Sequence, residues 1–560
     1  MPLDSTANSA SGAQLTPHGF PDPDAIRRLG APFCARHGIL PLRPAGALRP
    51  VLCEDPGSFA AISDRVSEVL GPVRPFPALR EDIATQLIRF AGDPLAKSAE
   101  QRSPPDRSCR DLSPRVARIV IVLSLAALAA VAAPKAVFLV GNLLAMLCLM
   151  IHTAMHVVAL IPSRVPTSDP PPLPDAELPV ISILVPLFQE QDIATILMGR
   201  LAALDYPRDR LDLCLIVEHT DRITAATLAQ TSLPGWVRVL SVAPGTVQTK
   251  PRAMNMALDF CRGSIVGIYD AEDAPDPRQL RKVADYFAQA DPQVVALQGR
   301  LNFYNTRATW LTRCFSIDYA AWFWVTLPVV QKLGWPVLLG GTTVFLRREA
   351  LEAVGGWDAH NVTEDADLGI RLARAGYRTD LIDTVTFEEA TANPKAWIRQ
   401  RSRWQKGYAV TWVAHMRHPI SLLCDLGPWR FFGVQVLLLA SLVSTALAPF
   451  LWPIWLLLVN VHHPVAGLVH PWAFLAISLF LGSTLIIHLI VLVVGVVRQD
   501  RPALLPWIPV MQLYYPLATI SLVKAVVEFV ICPFFWDKTS HGVTKPDLEV
   551  SKTRRAPNQT

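Results

Sequence analysis

Four long apolar runs, two before and two after a stretch of alternating strand and helix patterns, constrain this chain more than any other feature. Residues 116–133 and 136–161 form the first pair, broken by Pro134 and Lys135; residues 431–460 and 472–497 form the second. Each is close to or beyond the roughly 20 residues that cross a bilayer as a helix. A chain built this way is expected to hold a water-soluble α/β unit against a membrane. Residues 116–162 read as a transmembrane hairpin and 426–545 as a C-terminal transmembrane or interfacial region.

Charge sets the orientation. Arg115 and Arg118 precede the first pair and Arg164 follows it. The loop 461–471 carries three histidines and no lysine or arginine, while Arg498 and Arg501 follow the next run. The positive-inside bias then predicts a multi-pass inner-membrane protein with 461–471 outside and the bulk of the chain cytosolic. Residues 506–533 are harder: a further span would put the basic tail (546–560, with Lys552, Arg554 and Arg555) outside, so an interfacial or re-entrant segment is expected. Lys524 and Glu528, four apart, can pair there. Net charge of +5 suits an anionic leaflet and gives no reason to invoke nucleic acid. The 9 cysteines include no C-x-x-C pair, which argues against a disulfide framework or zinc site. His152 and His156 lie four apart without the glutamate of a zinc helix, and read as packing residues.

Outside the apolar runs, residues 1–20 are polar and lack the apolar core of a signal peptide. Residues 21–96 read as a small α/β unit, with short strands at 38–42 and 48–52 and helices at 59–70 and 81–90. Polar, proline-containing stretches at 97–115 and 163–177 read as linkers. In 178–425, β-branched apolar runs at 178–187, 211–217 and 264–269 alternate with helical patterns at 193–204 and 222–230. That predicts a mostly parallel sheet with ligands at the carboxyl ends of its strands. Glu190, Glu218 and Asp270 fall at those ends.

Three polar clusters carry the chemistry. Asp270-Ala271-Glu272-Asp273 offers hard oxygens suited to Mg²⁺ or Mn²⁺, though an acidic turn capping the next helix has the same composition. Thr363-Glu364-Asp365 offers a carboxylate base, and equally an ordinary helix start. Gln400-Arg401-Ser402-Arg403-Trp404 offers guanidinium groups for phosphate and an indole face for a sugar ring; a basic helix on lipid headgroups would look similar. Taken together, over about 178–407, these clusters resemble the processive, membrane-bound family 2 glycosyltransferases, such as bacterial cellulose and hyaluronan synthases.

The resemblance implies a GT-A nucleotide-sugar-binding domain inserted between transmembrane helices, and an inverting transfer from a nucleotide sugar, with UDP the expected nucleotide, to a growing polysaccharide. It makes Asp365 the catalytic base, with Glu364 beside it. Glu190 and Glu218 would contact the donor base or ribose, and Lys250 its diphosphate. Asp270, with Glu272 or Asp273, would hold the metal. Gln400 and Arg403 would flank the leaving group, and Trp404, Gly341, Thr342 and Thr363 the acceptor. The segment 536–542 resembles the loop by which cellulose synthases cover the donor. Single-sugar transfer to a lipid-linked acceptor, or a degenerate transferase serving as a nucleotide-sensing scaffold, are the rival readings; intact acids at the main positions argue against the second. Arg28-Leu29-Gly30 and Asp55-Pro56 make 21–96 resemble the N-terminal domain of type II secretion ATPases. That implies either a cyclic di-GMP site or a ligand-free docking surface for a secretion partner.

Overall fold

The computed structural model describes residues 19–44, 46, 48–111, 113–161, 171–190, 193–458 and 470–532. The expectations for 1–18, for the 461–469 part of the outer loop, for 536–542 and for the basic tail fall outside them.

In the N-terminal unit, Asp22 caps the helix Pro23–Leu29 by accepting from Asp24 N and Ala25 N, and Asp55 caps Pro56–Ala60 in the same way. The single helix expected at 59–70 is two, Pro56–Ala60 and Ser63–Leu70. β1 (Ile39–Pro41) and β2 (Arg49–Cys53) pair antiparallel, and β3 (Val73–Pro77) joins β2 in parallel. β3 escaped the sequence reading because Pro75 and Pro77 withhold ladder donors; it lies at an edge, where proline is tolerated.

The helix expected at 81–90 runs much further, over Arg80–Gln101, bent at Ala91 with Pro94 inside. The 97–115 linker reading is therefore corrected. Residues 97–101 are helix, and Ser103, Ser108 and Cys109 are buried against the large domain. Prolines at 104 and 105 mark a turn in a packed strap rather than a free tether.

The large domain is an eight-stranded mixed sheet. Its strands are β4 (Ile181–Leu187), β5 (Leu211–Glu218), β6 (Val237–Val242), β7 (Ile265–Ile268), β8 (Ala274–Pro275), β9 (Val294–Phe303), β10 (Val344–Arg347) and β11 (Arg378–Glu388), in the order β6-β5-β4-β7-β10-β9-β11-β8. The half built from β6, β5, β4 and β7 is parallel, as the alternating pattern predicts; β10 then runs against both its neighbours, and β9–β11 is parallel again. β5 is buried along its whole length, which explains its near-continuous apolar sequence. Its one aspartate, Asp212, is satisfied by Ser182 Oγ (2.6 Å), Arg238 Nε (2.8 Å) and Arg262 N (2.9 Å).

The apolar runs form helices. Pro134–Leu160, Pro419–Trp452, Trp472–Arg498 and Pro502–Ile531 are long and apolar enough to cross a membrane, and Val120–Ala132 is a shorter apolar helix before them. The polar residues of Met511–Ile531 turn towards the helix Pro394–His415: Ser521 Oγ donates to Gln405 Oε1 (2.8 Å), and Lys406 reaches Glu528 (3.1 Å), which also pairs with Lys524. The membrane region is thus bolted to the helix that carries the arginine-tryptophan cluster.

Candidate active site

β7 ends at Ile268 and the chain turns back immediately. Asp273 makes that turn: its Oδ2 accepts from Asp270 N (2.8 Å) and from the Thr342 hydroxyl. With no exposed surface, and with Asp270 and Glu272 close by, burial and like charge push its carboxyl well above the usual range. Asp273 therefore folds the loop from inside, while Asp270 and Glu272 face the cavity. Thr342 is likewise turned inward, with its hydroxyl also within hydrogen-bond distance of Ile268 O (3.2 Å).

The cavity beside them has a volume of about 830 Å³. Every residue to which the resemblance assigns a role, except Asp273, lines it: Glu190, Glu218, Lys250, Asp270, Glu272, Gly341, Thr342, Thr363, Glu364, Asp365, Gln400, Arg403 and Trp404. Glu190 follows Gln189, whose positive φ of 57° is held by Asp221, which accepts from Gln189 N (2.6 Å) and also caps the helix Arg222–Ala229. Both oxygens of Glu218 accept from Arg252 Nη2 (2.7 and 2.6 Å), and burial still raises its carboxyl above the usual range.

Lys250 opens the helix Lys250–Leu258 and points into the acids. Its ammonium pairs with Asp270 and donates to Gly341 O (2.9 Å). Burial opposes that charge, but Asp270, Glu364 and Asp365 outweigh it and hold the pKa above its ordinary value. A Cβ on Gly341 would stand 3.4 Å from Asp365 Oδ2 and 3.7 Å from Lys250 Nζ; the glycine keeps this gap clear. Two residues on, Thr343 adopts φ 58°, a left-handed conformation costly for a β-branched side chain, pinned by Thr343 N to Ile268 O and Gly299 N to Thr343 O (both 3.0 Å).

Asp365 lies in the first turn of the helix Glu364–Arg374. Thr363 occupies the cap position, but its side chain makes no capping bond. It packs instead on the backbone of Gly407, where any Cβ would collide with it. That contact brings the helix Pro394–His415 against the acids. Burial raises Asp365 to about 6, and burial with the charge of Asp365 raises Glu364 to about 8. On the same helix Gln400 accepts from Thr391 Oγ1 (3.1 Å). Arg401 pairs with Asp318, donates to the Tyr514 hydroxyl (3.1 Å) and lies 5.0 Å over the Trp404 ring, fixing the indole in place.

Sequence reasoning missed four wall residues. Asp318, Tyr319 and Trp322, on or just beyond the helix Trp310–Ala321, line the cavity, and their three- and four-residue spacing was the available signal. Glu388 ends β11, and the strand-end reasoning used for Asp270 applied to it equally. Burial, then Asp273, Glu272 and Asp270, push its carboxyl well above the usual range.

Asp270 and Glu272 fit a divalent ion by chemistry: they are hard oxygen donors facing a cavity with an excess of acids, and buried oxygens of Asp273 and Glu388 behind them lack hydrogen-bond partners. Among the described residues, the one group of three ligand-type side chains close enough to share an ion lies elsewhere, at Asp212, Cys214 and Cys261, where Arg238 already bonds Asp212 and Cys214.

Comparison with known proteins finds matches over two parts of the chain. Residues 265–462 match the family profile described as Glycosyl transferase family group 2, and residues 20–97 match the MshEN domain. A β-monoglucosyldiacylglycerol synthase of Synechocystis sp. is 31% identical over 278 residues, covering 48% of this chain and 57% of that protein. A protein named as a probable glucomannan 4-β-mannosyltransferase 9, from Oryza sativa subsp. japonica, is 27% identical over 259 residues, covering 43% and 48%. The chain spans about half the length of the curated relatives it matches. Among solved structures, the mannosyltransferase PcManGT of Pyrobaculum calidifontis, in complex with GDP-Man and Mn²⁺, superposes with a TM-score of 0.42 at 18% identity, covering 65% of this chain and 97% of that one. The mixed sheet of the large domain thus includes a segment that matches the family 2 glycosyl transferase profile, and the N-terminal unit matches the MshEN domain.

Proposed function

We propose that this protein is an inverting membrane glycosyltransferase that moves a sugar from a nucleotide donor to a hydroxyl acceptor and extends a polysaccharide. The observation that carries this reading is the convergence of Lys250, Asp270 and Asp365 around the gap at Gly341, with Trp404 on the same cavity. Asp365 takes the acceptor's hydroxyl proton; the acceptor oxygen bonds the anomeric carbon as the bond from that carbon to the diphosphate oxygen breaks. Lys250 holds the donor's diphosphate, and Arg403 steadies it as it departs. Asp270 and Glu272 would hold Mg²⁺ or Mn²⁺, which when bound neutralises diphosphate charge. Trp404 offers its face to the acceptor sugar.

A second reading, transfer of one sugar to a lipid, is favoured by the lining of the cavity. Leu437 and Ser441 of the apolar Pro419–Trp452 helix line it, as does Phe323, and the Synechocystis relative is named for a glycolipid. Incubating proteoliposomes with a panel of labelled nucleotide sugars separates the two. Polymer supports the first, a single glycolipid the second, and no nucleotide release from any donor contradicts both.

The charge bias supports a catalytic domain on the cytosolic side. A cysteine introduced at Pro174 in a cysteine-free background should resist labelling in intact cells, and one at Ala466 should react; the reverse overturns the orientation. The MshEN domain is read as a control or docking unit, with a cyclic dinucleotide as the first ligand to test by calorimetry.

A further inference from the structure

The strap that joins the MshEN domain to the first apolar helix bonds two loops that lead into the cavity lining. Glu100, near the end of Arg80–Gln101, is 7% exposed although charged. Its carboxylate takes three donors from one loop of the transferase domain: Thr246 N (2.5 Å) and Val247 N (3.1 Å) on Oε1, and the Thr246 hydroxyl (2.9 Å) on Oε2. The loop fits closely, since a Cβ on Gly245 would collide with that carboxylate. Val247, Gln248, Thr249 and Lys250 then form the cavity wall.

One residue earlier, Ala99 O accepts from Asn255 Nδ2 (2.9 Å), and Asn255 also bonds Trp357 N (2.9 Å) and Trp357 O (2.7 Å). Further along, Ser108 Oγ (2.8 Å) and Cys109 N (2.7 Å) donate to Asp358, whose neighbour Ala359 accepts from Thr249 Oγ1 (2.7 Å). The strap therefore clamps the loop that leads to Lys250 and the loop that leads to Asp365, and Thr249 ties the two together.

We propose that Glu100 is a positioning residue for the donor end of the site: from outside the transferase domain it fixes the 245–250 loop, and through it Lys250. A group that only stabilised the fold would not act selectively on the donor. Glu100 does, because the amides it holds are three and four residues before the ammonium that faces the diphosphate. The proposal rests on the donor reading of Lys250.

The test uses the full-length protein in nanodiscs. In Glu100→Ala, amide exchange at Thr246 and Val247 should accelerate by at least about tenfold, with β4 and β5 unchanged. Donor KM should rise about tenfold while kcat stays within about threefold. Glu100→Gln keeps a carbonyl oxygen for both amides and should stay within about threefold of the parent on each measure. Unchanged exchange at 246–247 in Glu100→Ala, faster exchange across the whole domain with a lowered melting temperature, or a fall in kcat at constant KM overturns the proposal. The exchange arm reads the loop whatever the donor is. Selective loosening in a protein that turns over no nucleotide sugar would therefore contradict the proposed function while leaving the role of Glu100 standing.

Discussion

Asp365 and Asp367 sit two residues apart on one helix and live in opposite electrostatic worlds. The Asp367 side chain has no exposed surface, yet its carboxyl stays below the usual range: burial pushes it up, and Arg371 (2.7 Å) and His415 (3.0 Å) more than reverse this. Arg374 donates to His415 Nδ1 (3.1 Å), which leaves the Nε2–H to serve Asp367. Asp365 instead faces the cavity and shares its nearest cation, Lys250, with Asp270 and Glu364, and burial carries it up to about 6. Burial alone does not make a base. A buried acid whose charge is fully paired is structure; an acid left with a fraction of one cation can hold or release a proton near neutral pH. Glu218 lies between the two: Arg252 pairs with it, yet burial still pushes its carboxyl above the usual range.

The comparison breaks most clearly by mutation. Asp365→Asn should lower transfer by roughly 10²–10⁴-fold with donor affinity and melting temperature little changed, because it removes a proton acceptor and no paired charge. Asp367→Asn should do the reverse. It leaves Arg371 buried against a neutral amide and should cost about 3–5 kcal/mol of stability by chemical denaturation, with turnover per folded molecule retained. Equal stability losses in the two variants would erase the distinction. Trp404→Ala is smaller: loss of a stacking face should raise the acceptor KM about tenfold while nucleotide binding by calorimetry persists. Comparable damage to nucleotide binding would move Trp404 to the donor side.

Much of this was legible in the sequence. The parallel half of the sheet followed from β-branched runs ending in acids, and short motifs singled out Glu190, Asp270, Asp365 and Trp404, which the fold gathers on one cavity. The roles of Asp273 and Thr342 were not legible. An acid five residues after a strand can face a ligand or fold its own turn, and only the bond from Asp270 N to Asp273 decides. The strap was hidden because prolines and polar residues write the same sequence in a free linker and in a packed turn. The reversal at β10 depends on long-range pairing, which local pattern does not encode.

The claim that Asp365 is the base is tested most directly by the pH profile of single-turnover transfer, in the parent protein and in Asp365→Asn. A carboxyl raised to about 6 is protonated below that pH and takes no proton, so the parent rate should fall on acidification through about 6 and be about tenfold lower at pH 5 than at pH 7. The residual activity of Asp365→Asn should lack this acid limb. The same limb near 6 in both proteins would assign the titration to another group and contradict the account.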